Sequence, residues 1–465
     1  MAPYYELQLT ILTVFCVISL LLERHVSNKT KENQAGSGHG ATSAAVAALT
    51  KQYLIVYAIV MGADWLQGPY VYSLYREQYG FPERIVAVLF VTGFMSAGLA
   101  APLIGAWADK HGRKRMCMIF CISYTLACVC ILIPSLPILF LGRLMGGVST
   151  SILFSAFESW LISDSSSKNI PQADLSNIMG RATLVNGFVA TAAGVASNQL
   201  VSSTESFASP FVTSGGLLVL AWFVIGKLWT ENYGAGGGTS SDSDLFQVTR
   251  LGQAWKIVRQ DPVLLVLGLT QTCFEGSMYL FVFLWVPSLQ ESKPSLSPPL
   301  PLGYIFSCFM VSMMLGSLLY TSITSYSLHA DSSIAIHAKL SSLVCAVSAL
   351  ALAISVKSHD EHVRFWAFCA FEACVGMYYP VQGMLRGTLI SNEHRATLSS
   401  LFRVPLNIFV VVSLLTGVSS ARQAVLTASS LMLAFSSIMT GSVVLPRVER
   451  QQPHEPPLSA EERLA

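Results

Sequence analysis

Charge is scarce in this chain. Asp, Glu, Lys and Arg make up 12% of its 465 residues, about half the share usual in a soluble domain. Too few charges remain to clothe several water-facing domains, which is what the length alone would suggest. Paired cysteine dyads are missing too: the ten cysteines fall in or beside apolar runs, without the neighbouring histidines of a zinc site. They read as small hydrophobes in packing positions. No Lys or Arg precedes the first apolar run, so the basic region of a cleaved signal peptide is absent. The chain shows no G-x-S-x-G element, P-loop or metal-binding His pair, and nothing like a nucleic-acid module. These absences leave enzyme chemistry, cofactors and metal ions without a foothold.

What the chain has is hydrophobicity, 52% of its residues, arranged in long runs. Runs of about 17–28 mostly apolar residues are long enough to span a bilayer as helices. They fall at 7–23, 53–75, 85–104, 116–133, 136–163, 182–203, 211–229, 262–288, 303–323, 335–356, 363–388, 399–418 and 424–446. If sides alternate with the loop after the first run cytosolic, most Lys and Arg lie inside. Only Arg76, Arg84, Lys293, Lys357, Arg364 and Arg422 lie in the outer segments. Such asymmetry sets orientation, and it places the N-terminus outside and the C-terminal tail in the cytosol. The plasma membrane is the expected location.

The organisation that follows has five parts. Residues 1–52 hold the extra helix and a cytosolic linker, and 53–229 hold a first set of six helices. Residues 230–261 form a cytosolic central loop, rich in Gly, Ser and Asp and expected to be flexible. A second six-helix set occupies 262–446, and 447–465 form a tail. Residues 24–50 and the tail are low in apolar content and are expected to be disordered.

Two acids interrupt the pattern. Asp64 and Glu275 each sit at the midpoint of an apolar run, 211 positions apart. A charge at the bilayer centre costs at least ~2.5–3.5 kcal/mol on insertion scales, so such residues usually face a cavity or a partner. Equal depth in two halves points to a duplicated transport bundle.

The clearest motif follows the 85–104 run: Gly105-Ala-Trp-Ala-Asp109-Lys-His-Gly112-Arg113-Lys114-Arg115. In a hinge loop, Gly105 would let helices approach closely, Gly112 would permit positive φ, and Asp109 could pair with Arg113 or a helix end. Gly316 lies 211 residues after Gly105, but the acid and basic cluster are missing there. This loop, with two sets of six helices around a long connection, resembles the major facilitator superfamily over residues 53–446. A second element of that kind is Gly142-Arg143-Leu-Met-Gly146-Gly147. The resemblance implies a proton-coupling role for Arg143; an arginine snorkelling to the surface is the plainer alternative. Its glycines read as helix-packing positions.

Further stretches include Gly62-Ala-Asp-Trp-Leu-Gln-Gly-Pro-Tyr-Val-Tyr72, Trp229-Thr-Glu-Asn-Tyr-Gly234 and Phe402-Arg403-Val-Pro405-Leu-Asn407. With them the chain is similar to the molybdate-anion transporter branch. That resemblance implies uptake of the molybdate oxyanion, with the lipid bilayer as the other partner and a functional monomer. Other readings are a carrier of a different small anion or solute such as sulfate, or a non-transporting receptor or scaffold.

A tetrahedral dianion asks for cationic or N–H donors. Arg403 can give bidentate bonds to oxyanion oxygens, and Pro405 could break its helix and free backbone groups. Asn407, Gln67 and Gln271 are neutral donors near mid-depth, although ordinary interhelical bonding also suits them. With Arg143 they form the expected path lining. The acids Asp64, Glu275, Glu372 and Glu158 would repel a dianion if all were charged. Two readings stay open: they carry protons for coupling, or they hold Arg143, Arg403 and Arg181 in a gate that substrate rearranges. Depth also makes a pair between Arg143 and Glu372 conceivable. The loop residues Gly105, Asp109, Gly112, Arg113 and Lys114 are expected to act in conformational change.

Overall fold

Inside a hydrocarbon layer no water satisfies backbone N–H and C=O groups, so a long apolar run has to bond internally as a helix. A computed structural model describes residues 2–32, 40–233, 255–256, 258–292, 299–327, 333–390, 395–416 and 421–450, and its runs are helical. They are α1 (Ala2–Glu32), α2 (Gly40–Gln67), α3 (Glu83–His111), α4 (Arg113–Ile131) and α5 (Leu136–Leu153). Then come α6 (Ala156–Ser167), α7 (Gln172–Thr204), α8 (Ser209–Leu228), α9 (Pro262–Ser292) and α10 (Leu302–Ser327). The chain closes with α11 (Ser333–Lys357), α12 (Glu361–Leu389), α13 (Arg395–Thr416) and α14 (Arg422–Met439). Among the described residues, eleven helical stretches are long and apolar enough to cross a membrane, with α5 and α6 together making one of them. The charged α12 is outside that set, and α13 contributes a shorter apolar stretch, Leu401–Thr416.

Several expectations need correction. Helix α1 continues to Glu32 and α2 starts at Gly40, so much of 24–50 is helical rather than disordered. Ala and Leu supply helix propensity there in spite of the low apolar content. Residues Leu445–Arg450 are helical as well; the rest of the tail, from 451, lies outside the described residues. So does the Gly/Ser/Asp-rich centre of the 230–261 loop. The 136–163 run is broken at Phe154–Ser155, where Ser155 takes φ −126 and ψ −56. Pro405 does not break α13, which is continuous through it.

The all-α bundle is built as two six-helix halves plus the extra helix. In the first, α2 packs on α7 and α8, α3 on α5, and α4 on α5 and α8. In the second, α12 packs on α10 and α11, and α9 on α13 and α14. Helix pairs α7–α10 and α3–α13 join the halves, and α1 lies along α10. Small residues permit close joints: a Cβ on Gly316 of α10 would collide with the Ala373 carbonyl of α12, and one on Gly376 with that of Met313. Apolar side chains such as Phe154 and Leu431, each 66% exposed, point outward, as a lipid-facing surface requires.

Helix α2 does not end cleanly. It passes through a 3-10 turn at Gly68–Tyr70 and a π turn at Leu74–Gln78. The extra residue of a π turn rotates the side chains that follow, a device common at functional sites. Here it accompanies the inward turn of Tyr75, which is fully buried.

Candidate functional site

The polar interior has one cluster in each half. In the first, the Tyr124 hydroxyl of α4 donates to Asp64 Oδ1 of α2 at 2.7 Å. Arg143 of α5 donates from Nε to the Tyr75 hydroxyl at 2.7 Å, with its guanidinium carbon 5.2 Å from the Tyr75 ring centre. Gln67 donates to Ser214 Oγ at 2.9 Å, and Ser214 in turn donates to the Ala63 carbonyl at 2.6 Å. Asp64 is therefore held by a phenol and Arg143 by another. Among the described residues, neither an arginine counter-ion for Asp64, one of the two readings left open, nor the Arg143–Glu372 pair is formed. Equal depth fixes height along the bundle but leaves the direction around each helix free.

The second half carries the denser cluster. Arg386 of α12 donates from Nη1 to Gln271 Oε1 at 2.9 Å, and its Nη2 lies 3.9 Å from Glu275 Oε1. Gln271 Nε2 and the Tyr378 hydroxyl both donate to Glu275, each at 3.3 Å. The Tyr378 ring is fixed by a parallel stack on Phe274, centroids 3.9 Å apart. Arg403 is exposed on α13, which packs against α9, the helix that carries Glu275. Glu372 lies apart, buried in α12, with no hydrogen bond or ion pair among the described residues. Asn407 faces Gly98 of α3, its amide nitrogen 3.3 Å from where a Cβ would stand. Glu158 lies in a cleft of the first half with Tyr53, Tyr57, Met179 and Thr183.

Bonds between the halves gather at the Glu83 end of the bundle. Arg422 of α14 grips both oxygens of Glu83, and Gln290 donates to Glu77 at 2.8 Å. Gln199 donates to the Tyr304 hydroxyl at 2.6 Å, and Ser307 donates to the Thr191 carbonyl at 2.8 Å. At mid-depth Phe94 meets Tyr279 and Trp65 meets Phe306. The Glu158 cleft lies in the half of the bundle nearer the opposite, Asp109 end.

At that end the hinge loop is a built structure. Gly112 has φ +105, and a Cβ there would sit 2.5 Å from the Glu231 carboxyl carbon. Asp109 accepts from Arg113 at 2.7 Å. Glu231, just after α8, accepts from the backbone N–H groups of Lys114 and Arg115 at 2.8 and 3.1 Å. A carboxylate on the first turn of α4 satisfies orphan donors and meets the positive helix end. Lys114 Nζ reaches the Gly226 carbonyl at 3.0 Å. Trp229 stacks on Trp160 with centroids 3.8 Å apart, which holds the 229–232 strap in place. Gly105 departs from expectation: among the described residues nothing lies within 4 Å of its Cβ position, so it makes no close helix joint here. Gly147 does, against Ser96 at 2.7 Å.

Arg386, Tyr124, Tyr75 and Glu231 escaped the sequence reading. Glu231 stood in the quoted Trp229–Gly234 stretch without a role of its own, and Arg386 lay at the end of the 363–388 run. Among the described residues no three His, Cys, Asp or Glu side chains converge as metal ligands.

Acids and arginines turned into the interior of a two-part helical bundle suit a polytopic membrane transporter. A family model described as sugar transporters with 12 TM, MFS_5, matches residues 17–369. The chain belongs to that family, within the major facilitator superfamily. It is 34% identical over 364 residues to the molybdate-anion transporter of Xenopus tropicalis, covering 77% of this chain and 76% of the relative. To the molybdate-anion transporter of Takifugu rubripes it is 32% identical over 381 residues, 78% of each. Among solved structures, the nucleoside transporter NupG aligns with a TM-score of 0.67 at 12% identity, over 84% of this chain and 99% of that one. A peptide transporter, POT, in complex with sulfate aligns with a TM-score of 0.68 at 10% identity, over 87% and 95%. At such identities these two likenesses concern the fold alone.

Proposed function

We propose that this protein is a secondary active transporter that moves the molybdate oxyanion across a membrane by alternating access, without ATP hydrolysis. The observation that carries this reading is the Arg386–Gln271–Glu275 cluster, with Arg403 on the adjoining helix α13, in a chain whose relatives are named molybdate-anion transporters. A guanidinium offers paired N–H donors to a tetrahedral dianion. Glu275 would repel that dianion, so it serves as the counter-ion that occupies Arg386 until substrate takes its place. Substrate binding then frees the carboxylate, and the exchange links occupancy to conformation. Asp64 and Glu372, away from the arginine cluster, are the proton carriers in this scheme.

The remaining assignments follow from the same reading. The Asp109 end is cytosolic by its basic loops, the N-terminus is outside and the C-terminus inside. The bonds at the Glu83 end then make this an inward-facing conformation. Residues 53–229 and 262–446 are the two rocking units, and the protein works as a monomer in the plasma membrane.

Molybdate flux into proteoliposomes tests the proposal. Parent protein should load the vesicles, and Arg386→Ala and Arg403→Ala should each lower uptake by tenfold or more. Sulfate carried at equal efficiency would defeat the selectivity for molybdate. Folded parent protein without flux of either anion would sink the transport reading and favour a receptor or scaffold.

A further inference from the structure

Helix α1 is anchored at one end and stands off at the other. Near its start, the Tyr5 hydroxyl donates to Glu361 and the Tyr5 ring packs edge-on against Phe365, both in the second half. Farther along, Cys16 and Leu20 pack with Val311, Met314 and Leu318 of α10. On its other side, a groove separates α1 from α2 and α7 of the first half.

The two walls of that groove have matching patterns. Helix α1 contributes Val17, Leu20, Leu21 and Arg24, the i, i+3, i+4, i+7 spacing of a single helix face. Helix α7 contributes Arg181, Leu184, Val185 and Phe188, the same spacing with the cation at the opposite end of the stripe. The helices run antiparallel. Along α10, residues 5 to 20 of α1 advance with 308 to 318, whereas Gly187 of α7 meets Met314 and Gly194 meets Gly303. Both arginines therefore lie at the same mouth, the Asp109 end, with about 10 Å of apolar wall beyond them at 1.5 Å per residue. Leu54 of α2 completes the lining, which contains no acid. Both arginines are exposed, and neither has a hydrogen bond or ion pair among the described residues.

We propose that this groove is a binding site for one anionic phospholipid, its phosphate between Arg24 and Arg181 and an acyl chain along the two stripes. Charge complementarity favours that occupant over a second protein chain. Paired guanidinium groups ask for a phosphate, and the dry stripe beyond asks for a hydrocarbon chain. The lipid would join α1, which is fixed to the second half, to α7 of the first half. The site does not depend on what the bundle transports.

Native mass spectrometry of the full-length protein, released from micelles containing palmitoyl-oleoyl phosphatidylglycerol and phosphatidylcholine in equal amounts, tests the site. Parent protein should retain phosphatidylglycerol in preference. The double variant Arg24→Gln with Arg181→Gln should lose about thirtyfold of that preference, and Arg24→Lys with Arg181→Lys should keep most of it. Leu184→Trp, which fills the groove, should reduce retention of both lipids. Size-exclusion profiles and thermal melts establish that each variant is folded. If the Gln pair fails to fold, the Lys pair and Leu184→Trp decide. An undiminished preference in a folded Gln pair, or retention unaffected by Leu184→Trp, overturns the assignment.

Discussion

Arg422 grips Glu83 with both arms: Nε meets one carboxylate oxygen and Nη2 the other, each at 3.0 Å. The pair ties α14 to α3 across the junction of the two halves. Arg422 also reaches Glu291 at 3.7 Å and the Pro287 carbonyl at 3.4 Å, so the guanidinium is the hub of this closure.

Removing the hub should loosen the Glu83 end. Arg422→Ala should raise the reactivity of a reporter cysteine placed near Glu77, measured as the rate of thiol labelling in membranes. Bonds to charged groups contribute roughly 1.5–3 kcal/mol, which corresponds to an order of magnitude or more in the open population. Exchanging the charges, Glu83→Arg with Arg422→Glu, should recover part of the protection. No rise in labelling would show that other contacts hold this end.

Arg386→Ala should cost more than transport. It leaves Glu275, mostly buried, hydrogen-bonded only to Gln271 and Tyr378, and breaking a buried pair on one side typically costs up to about 3–5 kcal/mol. A melt of the purified protein should show a lower Tm for Arg386→Ala. The double variant with Glu275→Gln should recover much of that loss, because the stranded charge is gone. Flux should stay low in both. Equal melting temperatures for parent and Arg386→Ala would remove the carboxylate from this account.

Asp64→Asn separates proton handling from architecture. The asparagine keeps an oxygen to accept from Tyr124, so the α2–α4 contact survives and folding should be unchanged. Uptake driven by a proton gradient at clamped voltage should fall to the rate seen without a gradient. If parent uptake ignores the gradient from the outset, proton coupling is wrong whatever the variant does.

Gly112→Ala tests the hinge loop. A side chain at φ +105 is strained, and its Cβ would press on the Glu231 carboxyl group. Strain of this kind costs about 1–3 kcal/mol, so the Tm should drop. Glu231→Ala should also lower it, by removing the acceptor for the Lys114 and Arg115 N–H groups. Combining the two should cost less than their sum, since the clash has lost its partner.

The contrast between Asp64 and Arg386 shows what the sequence could convey. Asp64 declared itself by position, since an acid at mid-run is conspicuous against an apolar background, and long runs made the helical bundle legible in the same way. Its partner Tyr124 was invisible, because tyrosines are common in such helices and proximity across 60 residues is a matter of packing. Arg386 lay near the end of its run, where a cation reads as part of a loop. Glu231 was similarly hidden: its role comes from standing over the first turn of α4, 117 positions earlier in the chain than itself. Pro405 erred in the other direction. It promised a broken helix, but α13 runs on through it, as membrane helices tolerate proline where the freed backbone groups find other partners.

The sequence spacing sets Gly105 and Gly316 as counterparts, yet among the described residues nothing lies within 4 Å of a Cβ on the first, while the second is pressed on a neighbouring backbone. A bulkier residue would be accepted at the first and refused at the second. Two glycines that read alike in the sequence thus differ in their freedom to vary: a welded joint at Gly316, and room for a side chain at Gly105.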